Sequence, residues 1–558
     1  MTLIFFSLAW LMPNHYPPWV NFHSELLAFL GLGVLALGWF KRSQENLTAP
    51  AIALAVFALA AIPWAQHIAG LVFYAGDAFM SSFYGLGFAV TIALGYGYAH
   101  SVKPDRASIV VWLLPTHVLL VAALTSGLLA VLQWLSLTDN FTTFVAVTDI
   151  GDRAMANLGQ PNQLGTLLLM GLVALVLMFE LLKASQLLLV LGSVFLTWGI
   201  VLTESRTAML SALVMAGFLL YKIRARFVSG TPLRLQNVHI LLWLTMFCLA
   251  VVSLPWVNSA LLLASERNIG LLQGNGRAAI WLQTLYAIYE SPWLGYGWNQ
   301  TPAAQAVGAL HSPGELAFTN AHNIVLDLLA WVGLPLGLLI TAGFVYWLSA
   351  RIKAVQSTQA IYAMAMLLPF LVHSLLEFPF AYTYFLLTAG LLIGVIEADC
   401  VMKTTYGVSR RMAGVALAVL AGIGGYSAYE YLLIEEDYRV ARFENLRVGT
   451  TPADYSRPPI LIHTQLAALV TVLRQPAVRG MDSVQMEQLR KVSLRFGMRP
   501  LVFRYAVALG LNGEPAAADQ QMQVFRGMFG ERAYQRFKTE MRNLQVEKYP
   551  ELELIKLP

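Results

Sequence analysis

The 558-residue chain is 58% hydrophobic and only 12% charged, where a soluble protein carries about 25% charged residues. That deficit, a mean hydropathy of +0.62 and repeated apolar runs exclude a soluble globular enzyme and predict an all-α polytopic membrane protein. Two cysteines exclude a disulfide framework or a cysteine metal cluster, and the net charge of +5 decides little because basic residues also serve as topology signals.

In chain order, apolar runs fall near 2–12, 25–41, 50–75, 82–99, 108–135, 164–182, 185–205, 207–221, 239–256, 322–348, 358–377, 383–398 and 412–429. They predict 12–14 spans, with the third run expected to break at Pro63. The first run has neither a basic leader nor an A-x-A site, so it is expected to stay as an anchor. Basic residues sit at Lys41-Arg42, Lys103 with Arg106, Lys222 through Arg226, Arg351 with Lys353, and Lys403 with Arg410-Arg411. Thirteen spans counted from a cytoplasmic N-terminus put all of these in the cytoplasm, as the positive-inside rule requires.

The same count assigns His15–Glu25, the turn at Asp77, loop 136–163, loop 257–321 and the turn Glu377–Tyr382 to the outer side. The expected organisation is a transmembrane core over 1–429, including loop 257–321, and a small helical outer domain over 430–558. Within the latter, Pro500–Gly530 reads as one helical hairpin of tetratricopeptide type.

Candidate residues cluster on that outer side. His15, His23 and Glu25 share a loop, but no H-x-x-x-H spacing supports a metal site. His117, beside Pro115, reads as a hydrogen-bonded interhelical residue. Gln160 and Gln163, in N-L-G-Q-P-N-Q-L-G, either bind sugar hydroxyls or cap a helix. Arg206, in T-E-S-R-T-A, opposes the positive-inside bias, which marks it as functional or as an interfacial pin. Arg277 opens an amphipathic helix after Q-G-N-G; it is either a solvated arginine or, with the free N–H groups there, an anion site. His322 heads A-H-N-I-V-L-D-L-L, where a Gly- and Trp-rich loop meets a long apolar helix. It is either a capping residue or a general base, since imidazole titrates near neutrality. Tyr382 and Tyr384 read as an interfacial aromatic belt. There is no P-loop, no G-x-G-x-x-G after a strand, no G-x-S-x-G and no D-x-D. Phosphate chemistry here therefore has to use arginines instead of a metal.

Four motifs together resemble the O-antigen ligase/polymerase superfamily: E-S-R-T at 204–207, G-R-x-x-x-W at 276–281, S-P-W-L-G-Y-G at 291–297 and H-N-x-x-L-x-x-L-x-x-x-G at 322–333. Within it, H-Y-P-P-W-V-N-F-H-S-E at 15–25, G-D-A at 76–78, N-L-G-Q-P-N-Q-L-G at 157–165 and F-P-F-A-Y-T-Y-F-L-L at 378–387 resemble the bacterial protein O-oligosaccharyltransferases, the pilin-glycosylation ligases. The resemblance implies en bloc transfer of an oligosaccharide from undecaprenyl-pyrophosphate to a Ser or Thr hydroxyl of a pilin-like protein, inverting, with no metal and no cofactor. Carried over by position, His322 is the base, Arg206 and Arg277 hold the pyrophosphate, and Gln163 with Tyr382 or Tyr384 binds substrate; Gln160 joins them as a substrate-binding candidate on the reading of its own motif. The implied setting is the bacterial inner membrane, with site and tail facing the periplasm; the bilayer is a partner and nucleic acid is not. One rival is an O-antigen ligase or polymerase with a glycan acceptor. Another, a lipid-linked-sugar flippase or transporter, predicts polar residues spread through the midplane, whereas here they gather at one face.

Overall fold

The computed structural model describes residues 2–43, 45–100, 106–149, 151–182, 184–263, 275–400 and 405–557. Lys103, Lys403 and part of loop 257–321, all used in the topology reading, lie outside these residues. The described chain is helical apart from one short ribbon, in which Leu47–Pro50 pairs antiparallel with Thr405–Val408.

Among the described residues, nine helices are long and apolar enough to cross a membrane: Phe22–Arg42, Ala51–Ile68, Ala75–His100, Pro115–Trp134, Pro161–Leu182, Arg206–Val228, Asn237–Ala260, Ile324–Ala354 and Arg410–Leu446. The other expected spans are shorter helices, such as Gln186–Leu202 and Thr358–Ser374 at 17 residues each. At 1.5 Å per residue these reach about 25 Å, short of a hydrocarbon core of about 30 Å. The third run divides as expected, into Ala51–Leu59 and Ile62–Ile68, with Pro63 in the first turn of the second piece.

The chain forms two compact units. The first comprises residues 1–58, 84–270 and 346–422; the second comprises 59–83, 271–345 and 423–558. The centre of the first is Pro161–Leu182, buried along most of its length, so it is apolar all round and not striped. Lys222, buried near the far end of Arg206–Val228, is accommodated because its ammonium donates to the Lys353 and Val355 carbonyls at 3.1 and 2.9 Å.

In the second unit, Arg499–Leu511 and Pro515–Glu547 pack around Phe503, Val507, Met522, Phe525 and Met528. Ala306, within the short helix Thr301–Gly308, and Ala309, at its C-cap, complete this core. The tail beyond 430 therefore shares a core with part of the preceding loop.

One expected element changes. The long apolar helix expected after His322, in the run 322–348, is interrupted at Gly333, whose φ of 77° and ψ of 170° are not helical. The interruption frees carbonyls that low-dielectric surroundings would penalise. The loop 292–297 satisfies them: Tyr296 N–H donates to Ala330 O at 2.8 Å and Gly297 N–H to Trp331 O at 3.1 Å, while Leu334 N–H donates to Pro292 O at 2.6 Å. A Cβ on Gly333 would collide with the Trp293 carbonyl, so glycine is required both for φ and for this approach.

Candidate functional site

His322 lies in the second unit, in the turn that starts Ile324–Ala354. Its backbone is left-handed, with φ of 53°, uncommon for a residue with a Cβ and held only where the surroundings over-determine it. Capping falls to its neighbour: the Asn323 side-chain oxygen Oδ1 accepts from Val325 N at 2.9 Å and Leu326 N at 3.2 Å. Asp327, fully buried, fixes the turn from below. Its Oδ1 accepts from Ala321 N at 2.8 Å and from the Thr301 hydroxyl at 3.1 Å. The Thr301 hydroxyl in turn accepts from the Trp331 indole at 2.7 Å, and the Asp327 carboxylate is close enough to His322 for the two to interact electrostatically.

Outside this shell, Gln66 is used twice: its amide donates to Trp331 O at 2.8 Å and its oxygen accepts from Trp298 N at 2.8 Å. Gln305 spans the preceding loop, donating to Leu316 O at 2.9 Å and accepting from Phe318 N at 3.0 Å. Arg277, partly exposed, occupies the first turn of Asn275–Glu290 in the same unit, as expected.

The remaining predicted residues lie in the first unit, where a second polar group is assembled. Tyr384 donates to Gln163 Oε1 at 2.9 Å, both side chains being buried. This corrects the surface-belt reading of Tyr384, because a hydroxyl this deep has to be satisfied by a protein partner. Tyr382 stacks obliquely 5.6 Å from Tyr384, and burial, with Gln163 opposing it, pushes its phenol up to about 12. Gln160 donates to Glu377 at 3.3 Å, and Asn162 donates to the other oxygen of Glu377 at 3.2 Å. Asn162 Oδ1 accepts from Ser205 at 2.6 Å and from Arg153 at 3.4 Å. Ser205 is also the N-cap of Arg206–Val228, accepting from Ala208 N at 3.0 Å. Arg206 is thus the first residue of a capped helix and is exposed, while its turn is anchored through Asn162 to Gln160 and Glu377.

Sequence reading missed Asp327, Thr301, Asn162, Glu377, Ser205 and Arg153. Two carried a signal: Glu377 and Asp327 are carboxylates flanked by apolar residues, a costly placement that marks a site. Asn162 and Thr301 carried none, since their partners lie 215 and 26 residues away. Among the described residues, no group of three or more His, Cys, Asp or Glu is arranged to hold a metal ion.

Three sequence profiles match in succession. One described as "Protein glycosylation ligase" covers 154–179, one described as "O-Antigen ligase" covers 191–341, and one described as "Virulence factor membrane-bound polymerase, C-terminal" covers 361–543. The first contains Gln160 and Gln163, the second Arg206, Arg277 and His322, and the third extends into the tail. A General O-oligosaccharyltransferase of Acinetobacter baylyi is 31% identical over 535 residues, 94% of this chain and 90% of the relative. A ComP-specific O-oligosaccharyltransferase of the same organism is 28% identical over 404 residues, 71% of this chain and 70% of the relative. With similarity over nearly its whole length, the chain belongs to the bacterial O-oligosaccharyltransferases of the O-antigen ligase superfamily, and is a glycosyltransferase.

Proposed function

We propose that the protein transfers a preassembled oligosaccharide from undecaprenyl-pyrophosphate to a Ser or Thr hydroxyl of a pilin-like protein at the periplasmic face of the bacterial inner membrane. The supporting observation is near full-length similarity to a general O-oligosaccharyltransferase, joined to a histidine turn braced by a buried carboxylate. In this reading His322 takes the proton of the acceptor hydroxyl as its oxygen attacks the anomeric carbon. The bond from that carbon to the pyrophosphate breaks on the opposite face, so configuration inverts. Arg206 and Arg277 receive the charge that develops on the departing pyrophosphate; oriented donors on a leaving group contribute about 3–4 kcal/mol each in comparable sites.

Asp327 positions the base through Ala321 and stabilises the imidazolium that forms. Gln160, Gln163, Tyr382 and Tyr384 line the substrate path, and the reaction needs no metal. Residues 1–429 carry the transmembrane transferase and 430–558 a periplasmic helical domain, with its tetratricopeptide-type hairpin, that recognises the acceptor.

The O-Antigen ligase match over 191–341 favours one other reading, transfer to a glycan acceptor. Co-expression with a glycan pathway and candidate pilins, followed by intact-mass analysis of pilin and lipopolysaccharide, separates the two. An oligosaccharide-sized increment on pilin is expected. An increment on lipopolysaccharide alone would replace the protein acceptor by a glycan.

A further inference from the structure

A small cavity in the first unit adjoins the turn that carries Arg206. Its volume is about 220 Å³, and its lining includes Trp134, Asp152, Glu204, Leu254 and Asn258. Two backbone segments build one wall. Ala154 N–H donates to Leu202 O at 3.3 Å, and Arg153 Nε donates to Thr203 O at 2.7 Å. This pairing presents Asp152 and Glu204 to the same space, while Arg153 and Arg206 follow them by one and two residues. Asn258, largely buried, accepts from the Trp134 indole at 2.8 Å, which fixes its amide and commits the indole N–H.

We infer that this cavity holds the sugar residue bonded to the pyrophosphate of the lipid-linked donor, and that it favours uncharged over acidic sugars. The inference rests on the proposed transfer reaction. Carboxylates and an amide are acceptors and donors for ring hydroxyls, and Trp134 adds apolar surface. The same carboxylates repel a phosphate or a uronate, so the pyrophosphate belongs outside the cavity, towards the arginines that follow each acidic residue. The volume lies below the roughly 300–1,000 Å³ of drug-sized ligand pockets, which suits one sugar ring and not a peptide loop or a whole oligosaccharide.

The test uses the full chain in membranes with polyprenyl-pyrophosphate donors whose first sugar is either a neutral N-acetylhexosamine or a hexuronic acid. Transfer from the neutral donor by the wild-type protein checks the underlying reaction; its absence would refute that reaction and not the cavity. Given transfer, Asp152→Asn and Glu204→Gln should each narrow the neutral-to-acidic preference in kcat/KM by roughly tenfold, leaving the acceptor KM unchanged. Saturation-transfer NMR with a neutral methyl glycoside gives a readout independent of turnover. The signal should persist in His322→Ala and weaken in the isosteric Glu204→Gln variant, with equal thermal melts showing that both are folded. Unchanged donor preference and unchanged glycoside binding in folded variants would overturn the inference. So would a change confined to the acceptor KM, which would assign the cavity to the acceptor peptide.

Discussion

At His322 the backbone and the proposed chemistry make the same demand. A left-handed φ at a residue with a Cβ costs about 1–3 kcal/mol, and the bonds from Ala321 and Thr301 to Asp327 oppose that cost. His322→Ala is expected to abolish glycan transfer while protein level and lipid-donor binding persist; transfer at the wild-type rate would remove His322 from the mechanism. Asp327→Ala leaves two buried donors without their acceptor, at about 1–3 kcal/mol each. A lowered melting temperature with transfer reduced along with it is expected, and Asp327→Asn, which keeps an acceptor oxygen, should retain more of both. Full stability and full activity in Asp327→Ala would mean that the turn holds itself. His322 was legible because a polar residue at the end of an apolar run is conspicuous. Asp327 was not singled out, because its meaning depends on Thr301, 26 residues earlier.

Helices were the most legible elements, and their interruptions the least. The break at Gly333 sits inside an apolar run whose periodicity continues through it; only the loop 292–297, which supplies the missing hydrogen bonds, makes the break affordable. In the tail, Arg495 of the helix Ser483–Phe496 forms a two-bond ion pair with Asp77, 418 positions earlier, at 2.8 and 2.7 Å, with both side chains mostly buried. Breaking such a pair from one side costs about 3–5 kcal/mol, whereas replacing both partners is often neutral. Arg495→Met should therefore lower the melting temperature and speed tail proteolysis, and adding Asp77→Asn should recover most of the loss. If the double variant is no better than the single one, the charge left behind is not the cause.

His463, buried against Ser427 and Glu430 in the same unit, has its imidazole pushed below the usual range by burial, with Ser427 and Glu430 opposing. The folded state thus prefers neutral His463. Its stabilising contribution is complete above the unfolded value of about 6.5 and is lost as pH falls through the lower folded value. Thermal melts from pH 7.5 to 5 should decline less steeply in His463→Gln; equal slopes would place the sensitivity elsewhere.

For the whole molecule, the absence of any D-x-D and the proposed arginine clamp predict that transfer survives EDTA. Loss of activity restored by Mg²⁺ or Mn²⁺ would refute the arginine clamp. The membrane character of the chain, most of its helices and a minority of the two polar groups, namely His322, Gln160, Gln163, Tyr382 and Tyr384, were legible in sequence. Hydropathy, caps and breakers act over a turn to about 20 residues and can be read locally. Tertiary structure decided which distant groups meet: Gln163 with Tyr384 across 221 positions, Asn162 with Ser205 across 43, and Ala306 and Ala309 with the tail core. Those pairings follow from burial. A polar atom removed from water requires a partner, and only the packing of the folded chain determines which partner is near.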